Sequence, residues 1–317
     1  MVAQRALAIL YNETVLGALV YRDYDQDFAG QVGDTVNVRV PAVFTAEQFN
    51  RSAGITVQDA KEQSFPITLD NIIDVSFAVT SEQLLLDIDD FAVRLLAPAM
   101  EAVNQGVDAA LADELITAAN QAGVSGGDYP STYAGGSNSA NGGVCTTNDT
   151  AEPLKALVCA RVRLGRAKLP TLNRAAVISP EAAGQALSGD LIVQANTRGD
   201  TDGLIEASIG RKFGFDTYES QVLGDNKGGS GRHAADGVAF HQDAIALATR
   251  VMEVPLGKRD SAGDTVGVAI ETYKSLGLRV VYDYDIHYKQ DVVSIDFLYG
   301  CRAVRPQAAV ELDLGVS

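Results

Sequence analysis

Histidine, cysteine and basic residues are scarce in this 317-residue chain, and each shortage removes a class of function. The three histidines, His233, His241 and His287, stand apart, and no HExxH, GxSxG, SxxK or phosphate-loop pattern accompanies them. The three cysteines, Cys145, Cys159 and Cys301, are odd in number and lack CxxC spacing, so the sequence predicts reduced thiols, with neither a disulfide framework nor a zinc site. Lys and Arg total 25 against 41 Asp and Glu, a net charge of -16. Such a surface repels phosphate, and no basic stripe interleaved with aromatics overrides it, which argues against sequence-specific nucleic-acid binding. No apolar run approaches the ~20 residues of a membrane helix, and Asn12 and Glu13 interrupt the N-terminal VAQRALAILY before it reads as a leader. The expectation is synthesis without export and no membrane partner.

What is present is ordinary for a globular protein: 46% hydrophobic and 21% charged residues, in a length that suits one large domain or two smaller ones. The organising stretch runs from Asp87 to Gly123. Phe91, Leu95, Ala99, Val103, Val107, Leu111 and Leu115 recur every four residues, with Leu96, Met100 and Ala110 widening the stripe, so the period predicts one long helix with a buried face. Asp87 suits the first cap, Gly123 suits the stop, and Pro98 predicts a kink or a join between two helices. At 1.5 Å per residue it would span roughly 50 Å, a spine rather than a packing unit.

Residues 1–32 read as an arm with a short amphipathic helix carrying Leu7, Leu10, Tyr11, Leu16 and Leu19. Asp23, Asp25 and Asp27 mimic the start of a calcium loop, but Phe28 stands where glycine is needed and Asp34 where glutamate is needed, so this reads as a solvated loop. From Gly33 the period becomes two. Val36, Val38 and Val40 alternate with polar residues, as do Ile73, Val75, Phe77 and Val79. Between these runs Ile55, Val57, Phe65, Ile67 and Leu69 are scattered apolar residues of an extended β excursion that has too little apolar surface to stand alone.

A Gly/Ser/Asn-rich loop follows the long helix, then a helix expected from Thr150 to about Leu169, the strand RAAVIS and the helix EAAGQAL. HQDAIALATR has a helical pattern. LRVVYDYDIHYKQDVVSIDFLYGCRAVRP predicts two long strands around a turn near Tyr288 to Asp291.

Candidate chemistry is thin. Gly229, Gly231 and Ala234 match a relaxed dinucleotide fingerprint but lack a strand before and a helix after, so they read as a flexible turn. Gly257-Lys258 lacks the flanking residues of a phosphate loop. His241 reads as a packed or capping histidine. Asp283 and Asp285 share one side of a strand and read as its solvated face, with Val281, Tyr282, Tyr284 and Ile286 on the other side. No catalytic, cofactor-binding or metal-ligating residue is assigned, and no enzymatic role is expected.

The layout resembles the major capsid proteins of tailed bacteriophages with the Hong Kong 97-like fold, in particular the coat-protein group of short-tailed phages. The resemblance covers nearly the full chain. It rests on an arm ending in RDY, on GDTVNVRVPA, on ITLDNIIDVSFAVTSEQLLLDIDDFAVRLLAPAMEAVNQGVDAAL, on VAFHQDAIALATR, and on a terminal hairpin closing with Arg302 to Pro306 and QAAVEL. It implies an α+β subunit with an N-terminal arm (1–32), an extended β loop with its flanking strands (33–85) and a peripheral domain with a spine helix (86–149). An axial α/β domain (150–275) follows, and then a terminal β hairpin returning to the peripheral domain with a C-terminal strand (276–317). The chain is shorter than better-known members, with no room for an inserted β-barrel in the axial region, and no Lys–Asn crosslink is assignable by residue. The implied function is self-assembly, as hexamers and pentamers, into an icosahedral shell enclosing double-stranded DNA. Scaffolding, portal and decoration proteins are its expected partners, and host cytoplasm and then virion its expected locations. A cellular encapsulin-type compartment and a soluble α/β enzyme are the alternatives.

Overall fold

A computed structural model describes residues 6, 15–22, 35–40, 46, 48–49, 51–52, 57, 63–80, 95–121, 144–146, 154–188, 209–224, 235–254, 267–273, 276–288 and 290–314. The predicted helix over 87–123 is observed as α2, Ala97–Gln121, following the short turn α1, Leu16–Leu19. Residues 87–94 and Gly123 lie outside the described residues. Leu95 and Leu96 are π-helical and the regular α-helix begins at Ala97, so the helical geometry changes beside Pro98. Of the predicted stripe, Leu96, Ala99, Met100, Val103, Val107, Leu111 and Leu115 are buried, and Leu95 and Ala110 are half-buried.

Those side chains rest on a five-stranded antiparallel sheet. Its path is β10 (Val268–Tyr273), β11 (Leu276–Asp285), β12 (Gln290–Ala303) and β3 (Asn71–Thr80), with β9 (Ile245–Arg250) also on β12. The 14 residues of β12 pair with β3 through Tyr299 and with β9 from Leu298 onward, so one strand carries the sheet past the end of its neighbour. Its alternate residues Val293, Ile295, Phe297 and Tyr299 face the core shared with α2. Here the expectation for HQDAIALATR fails. Gln242–Ala244 is a single 3₁₀ turn and Ile245–Arg250 a strand. Ile245 and Leu247 enter the α2 core while Ala246 and Ala248 pack on the opposite face, a period of two that alanines make resemble a helix.

The second sheet has six strands in the order β4 (Val144–Thr146), β13 (Ala309–Asp313), β8 (Gly237–His241), β5 (Arg174–Ile178), β7 (Phe215–Glu219) and β6 (Arg211–Lys212). The strand predicted at RAAVIS is β5, buried along its whole length because both faces are covered. On one side lie α3 (Lys155–Arg166), narrower than the expected 150–169, and α4 (Pro180–Ser188). Pro180 opens α4 and the Ser179 hydroxyl accepts from the Ala182 N–H at 3.2 Å, a proline-start helix with a serine cap. On the other side α2 reaches across, so its core continues into Val177, Val238, Phe240 and Ala309. One helix thus joins both sheets.

The thiol expectation is overturned. Cys145 and Cys159 form a disulfide with Cα atoms 6.0 Å apart, tying β4 to α3. Their 14-residue separation carries no motif, and only the packing of α3 against β4 brings the two side chains together. Cys301 is a free thiol that burial pushes up to about 12, which keeps it protonated and inert.

Candidate assembly surface

Two segments expected to lack partners within the subunit are in part anchored to it. The β excursion is a two-stranded antiparallel ribbon, β1 (Thr35–Val40) on β2 (Gln63–Thr68), registered Thr35 to Thr68 and Val40 to Gln63. Its foot is core: Ile67 and Leu69 are fully buried against Ala246, Ala248 and Leu298. The connection between β1 and β2 carries Phe49 at 69% exposure and Val57 at 90%, where an isolated globular subunit has nothing to bury them. Residues 15–22 are likewise seated. Tyr21 bridges to Ala246, donating to Ile245 and accepting from Leu247, and Leu16 is buried against α2.

A second exposed apolar group occupies the tip of the β11–β12 hairpin. Leu278, Val280, Tyr282 and Tyr284 alternate onto one face of β11. The first two lie in the core shared with α2. Beyond them the face opens to solvent, leaving Tyr282 44% and Tyr284 49% exposed, and the turn adds Ile286 and Tyr288 at 77% and 76%. The expected division of this strand is therefore half right. Asp283 is exposed as predicted, but Tyr282, Tyr284 and Ile286 are exposed too. The tip is held in shape by the aspartates: Asp285 accepts from the His287 N–H at 2.8 Å and the Tyr288 N–H at 3.4 Å, and Asp283 from the Tyr284 N–H at 2.9 Å. These two carboxylates form a turn rather than an acid–base pair.

The paired carboxylates that do meet are Asp74 and Asp296, directly opposite each other on β3 and β12. Asp296 takes Arg279 Nε at 2.8 Å and Nη2 at 2.5 Å, while Arg279 Nη1 donates to the Glu253 carbonyl at 2.6 Å. Asp74 takes the hydroxyls of Ser294 at 2.7 Å and Ser76 at 3.0 Å. Burial raises both carboxyls. Bonds from Ser294, Asp296 and Ser76 outweigh it and hold Asp74 below the usual carboxylate range, whereas burial prevails at Asp296 despite Arg279. Arg279 and the serine hydroxyls spend these carboxylates on joining β3, β11, β12 and the segment after β9. Cross-strand register, invisible in sequence, creates this pair.

His241 is the packed, capping residue expected: it is buried, and its Nδ1 accepts from the Asp243 N–H at 3.2 Å. Burial lowers its pKa, so it caps as a neutral ring. Asp23, Asp25, Asp27, Gly229, Gly231, His233, Ala234, Gly257 and Lys258 lie outside the described residues. Among the described residues no group of three or more His, Cys, Asp or Glu is placed to hold a metal, and no helix is long and apolar enough to cross a membrane.

No protein-family model matches the chain, and no curated protein matches it in sequence. Solved structures do. A chain from Mycobacterium phage Che8 is similar over 96% of this chain and 93% of its own, with TM-score 0.65 and 20% identity. A chain of the bacteriophage PhiM1 mature capsid matches over 95% and 87%, with TM-score 0.60 and 14% identity. A chain of the cyanophage P-SCSP1u capsid matches over 95% and 88%, with TM-score 0.59 and 12% identity. At such low identity it is the fold alone that is shared, an α+β fold of the Hong Kong 97-like kind.

Proposed function

We propose that this chain is a major capsid protein that self-assembles into the icosahedral shell enclosing a phage double-stranded DNA genome. The observation that carries the reading is fold similarity over nearly the whole chain to subunits of phage capsids. The exposed apolar residues support it. A stable interface buries ~800 Å² per partner around apolar anchors with a polar rim, and the hairpin tip and the connection between β1 and β2 offer such anchors. A closed shell needs each copy to touch several others.

In this reading residues 1–32 are the arm, 33–85 the extended loop, 86–149 the peripheral part with α2 as its spine, 150–275 the axial part and 276–317 the terminal hairpin and last strand. The boundary at 275 divides the sequence and not the sheet, since β9 and β10 join β11 and β12. Hexamers and pentamers of the chain are the capsomers, with scaffolding, portal and decoration proteins as partners, and the role is structural rather than catalytic. The encapsulin-type alternative is less favoured, because the structures described above come from phages.

The test is a charge placed on the hairpin tip. Ile286→Asp with Tyr288→Asp alters residues that are mostly solvent-exposed, so the unfolding free energy of the full chain stays within about 0.5 kcal/mol of wild type. Shells counted by electron microscopy fall at least tenfold, since a buried carboxylate with no partner is costly at an interface. Normal shell yield from the double variant removes the tip from the assembly surface.

A further inference from the structure

One buried carboxyl in α2 is used by no contact so far described. Asp108 is 4% exposed, midway along the helix and on its apolar face, one turn beyond the buried Asn104. Its two oxygens receive the backbone N–H groups of the amino-terminal segment: Oδ2 accepts from Val15 at 3.2 Å and Oδ1 from Gly17 at 3.2 Å. Segment 15–22 is otherwise held by the buried Leu16 and Val20 and by the Tyr21 bridge to β9. The carboxyl is therefore both the polar anchor of the segment and a group that docking removes from water.

We propose that Asp108 makes docking of the amino-terminal segment proton-linked, so that residues 15–22 hold to α2 most tightly when this carboxyl is neutral and loosen as it ionises. The inference stands on the subunit alone, whatever it assembles into. Stripping water from a carboxylate costs several kcal/mol, and backbone N–H groups return only part of it. The balance here favours the neutral acid. Burial pushes Asp108 up to about 6, against the opposing pull of the N–H groups of Val15, Gly17 and Leu16 and of the Arg22 charge.

Among the described residues the sheet face beneath α2 is apolar through Ile73, Val75, Phe77, Val293, Ile295 and Phe297. Tyr299 and Cys301, both pushed up to about 12, stay neutral there. Glu114, nearly two turns further on, is engaged by the Ala303 N–H at 2.9 Å. Arg22 is occupied with the Gly17 carbonyl and stays charged throughout.

The sign follows from linkage. The docked pKa of about 6 lies above the ordinary 3.8 that Asp108 regains when the segment leaves and water enters. Docking therefore takes up a proton, is complete below the lower value, and is weakened as pH rises through the upper one. Between pH 5 and pH 7 the docking constant falls about tenfold. At neutral pH the segment sits over a buried charge and is poised to leave.

Hydrogen exchange of the full chain, corrected for intrinsic rates, measures this directly at the amides of residues 15–22. Their protection should fall about tenfold from pH 5 to pH 7, while that of β12 stays level. Asp108→Asn, which keeps an oxygen acceptor but cannot ionise, should hold the segment equally at both values. Protection that is flat or rises with pH in the wild type, or a fall that persists in Asp108→Asn, overturns the proposal. If the variant does not fold, carboxyl NMR of wild-type Asp108 decides: a midpoint near 6 supports the linkage, and one in the ordinary carboxylate range overturns it.

Discussion

Gly300→Ala should lower the thermal midpoint of the full chain by roughly 10 °C. Gly300 lies in β12 opposite Ala248 of β9. A Cβ built there would stand 2.2 Å from the Thr68 carbonyl oxygen and 3.4 Å from the Leu69 Cα, and these are backbone atoms that cannot rotate aside. Relief requires β2 to lift off the sheet, which withdraws Ile67 and Leu69 from Ala246, Ala248 and Leu298. Overpacking costs about 1–3 kcal/mol. Uncovering each of the two side chains adds about 1.5–3 kcal/mol. Gly106→Ala is the matched control. Its Cβ would meet the Ile73 Cδ1 at 3.0 Å, the far end of a flexible side chain, and α2 gains alanine's helical preference, so little net change is expected. A midpoint for Gly300→Ala within about 2 °C of wild type would show that β2 is not fastened at this point.

Removing residues 46–62 and closing the gap with a short flexible linker should abolish or deform shells while leaving a cooperatively folding subunit. The cut takes Phe49 and Val57, both well exposed, and spares the β1–β2 ladder together with buried Ile67 and Leu69. None of its described residues belongs to the three apolar clusters of the core. The apolar patterns that drive cooperative folding remain, so a single thermal transition survives. An interface has no such reserve, because a few central anchors carry most of its energy and their loss is not made good by the rim. Electron microscopy and a thermal scan of the same preparation separate the outcomes. A subunit that unfolds outright places the segment in the subunit core, and normal shells exclude it from assembly.

Elements whose periodicity is set by one buried face were legible in the sequence. The stripe of α2, the alternation of β3 and the terminal hairpin all appear where the pattern puts them, because a face packed on one core repeats at 3.6 or 2 residues. β9 was misread since both its faces are buried and its alternating alanines fit either period. The sequence also carried a signal at Asp108 that was passed over: Met100, Asn104, Asp108 and Ala112 follow the same four-residue spacing, so two polar side chains stand inside an apolar stripe. The Asp74–Asp296 pair and the Cys145–Cys159 bond depend on register and on helix placement, which no local pattern encodes. The anchoring of Ile67 and Leu69 was hidden for the same reason, as their partners lie some 180 to 230 residues away in sequence. Exposed apolar residues at the hairpin tip looked like an ordinary strand face until the length of α2 showed how much of the sheet it covers.

The claim that this fold exists here to build a shell is tested most directly by imaging the purified full chain by electron microscopy at high concentration, with its scaffolding partner supplied. The account predicts closed icosahedral particles built of hexamers and pentamers, in which Phe49, Val57 and the Tyr282 to Tyr288 tip lie against neighbouring copies. A chain that stays monomeric under those conditions, with the same residues still in solvent, would contradict it.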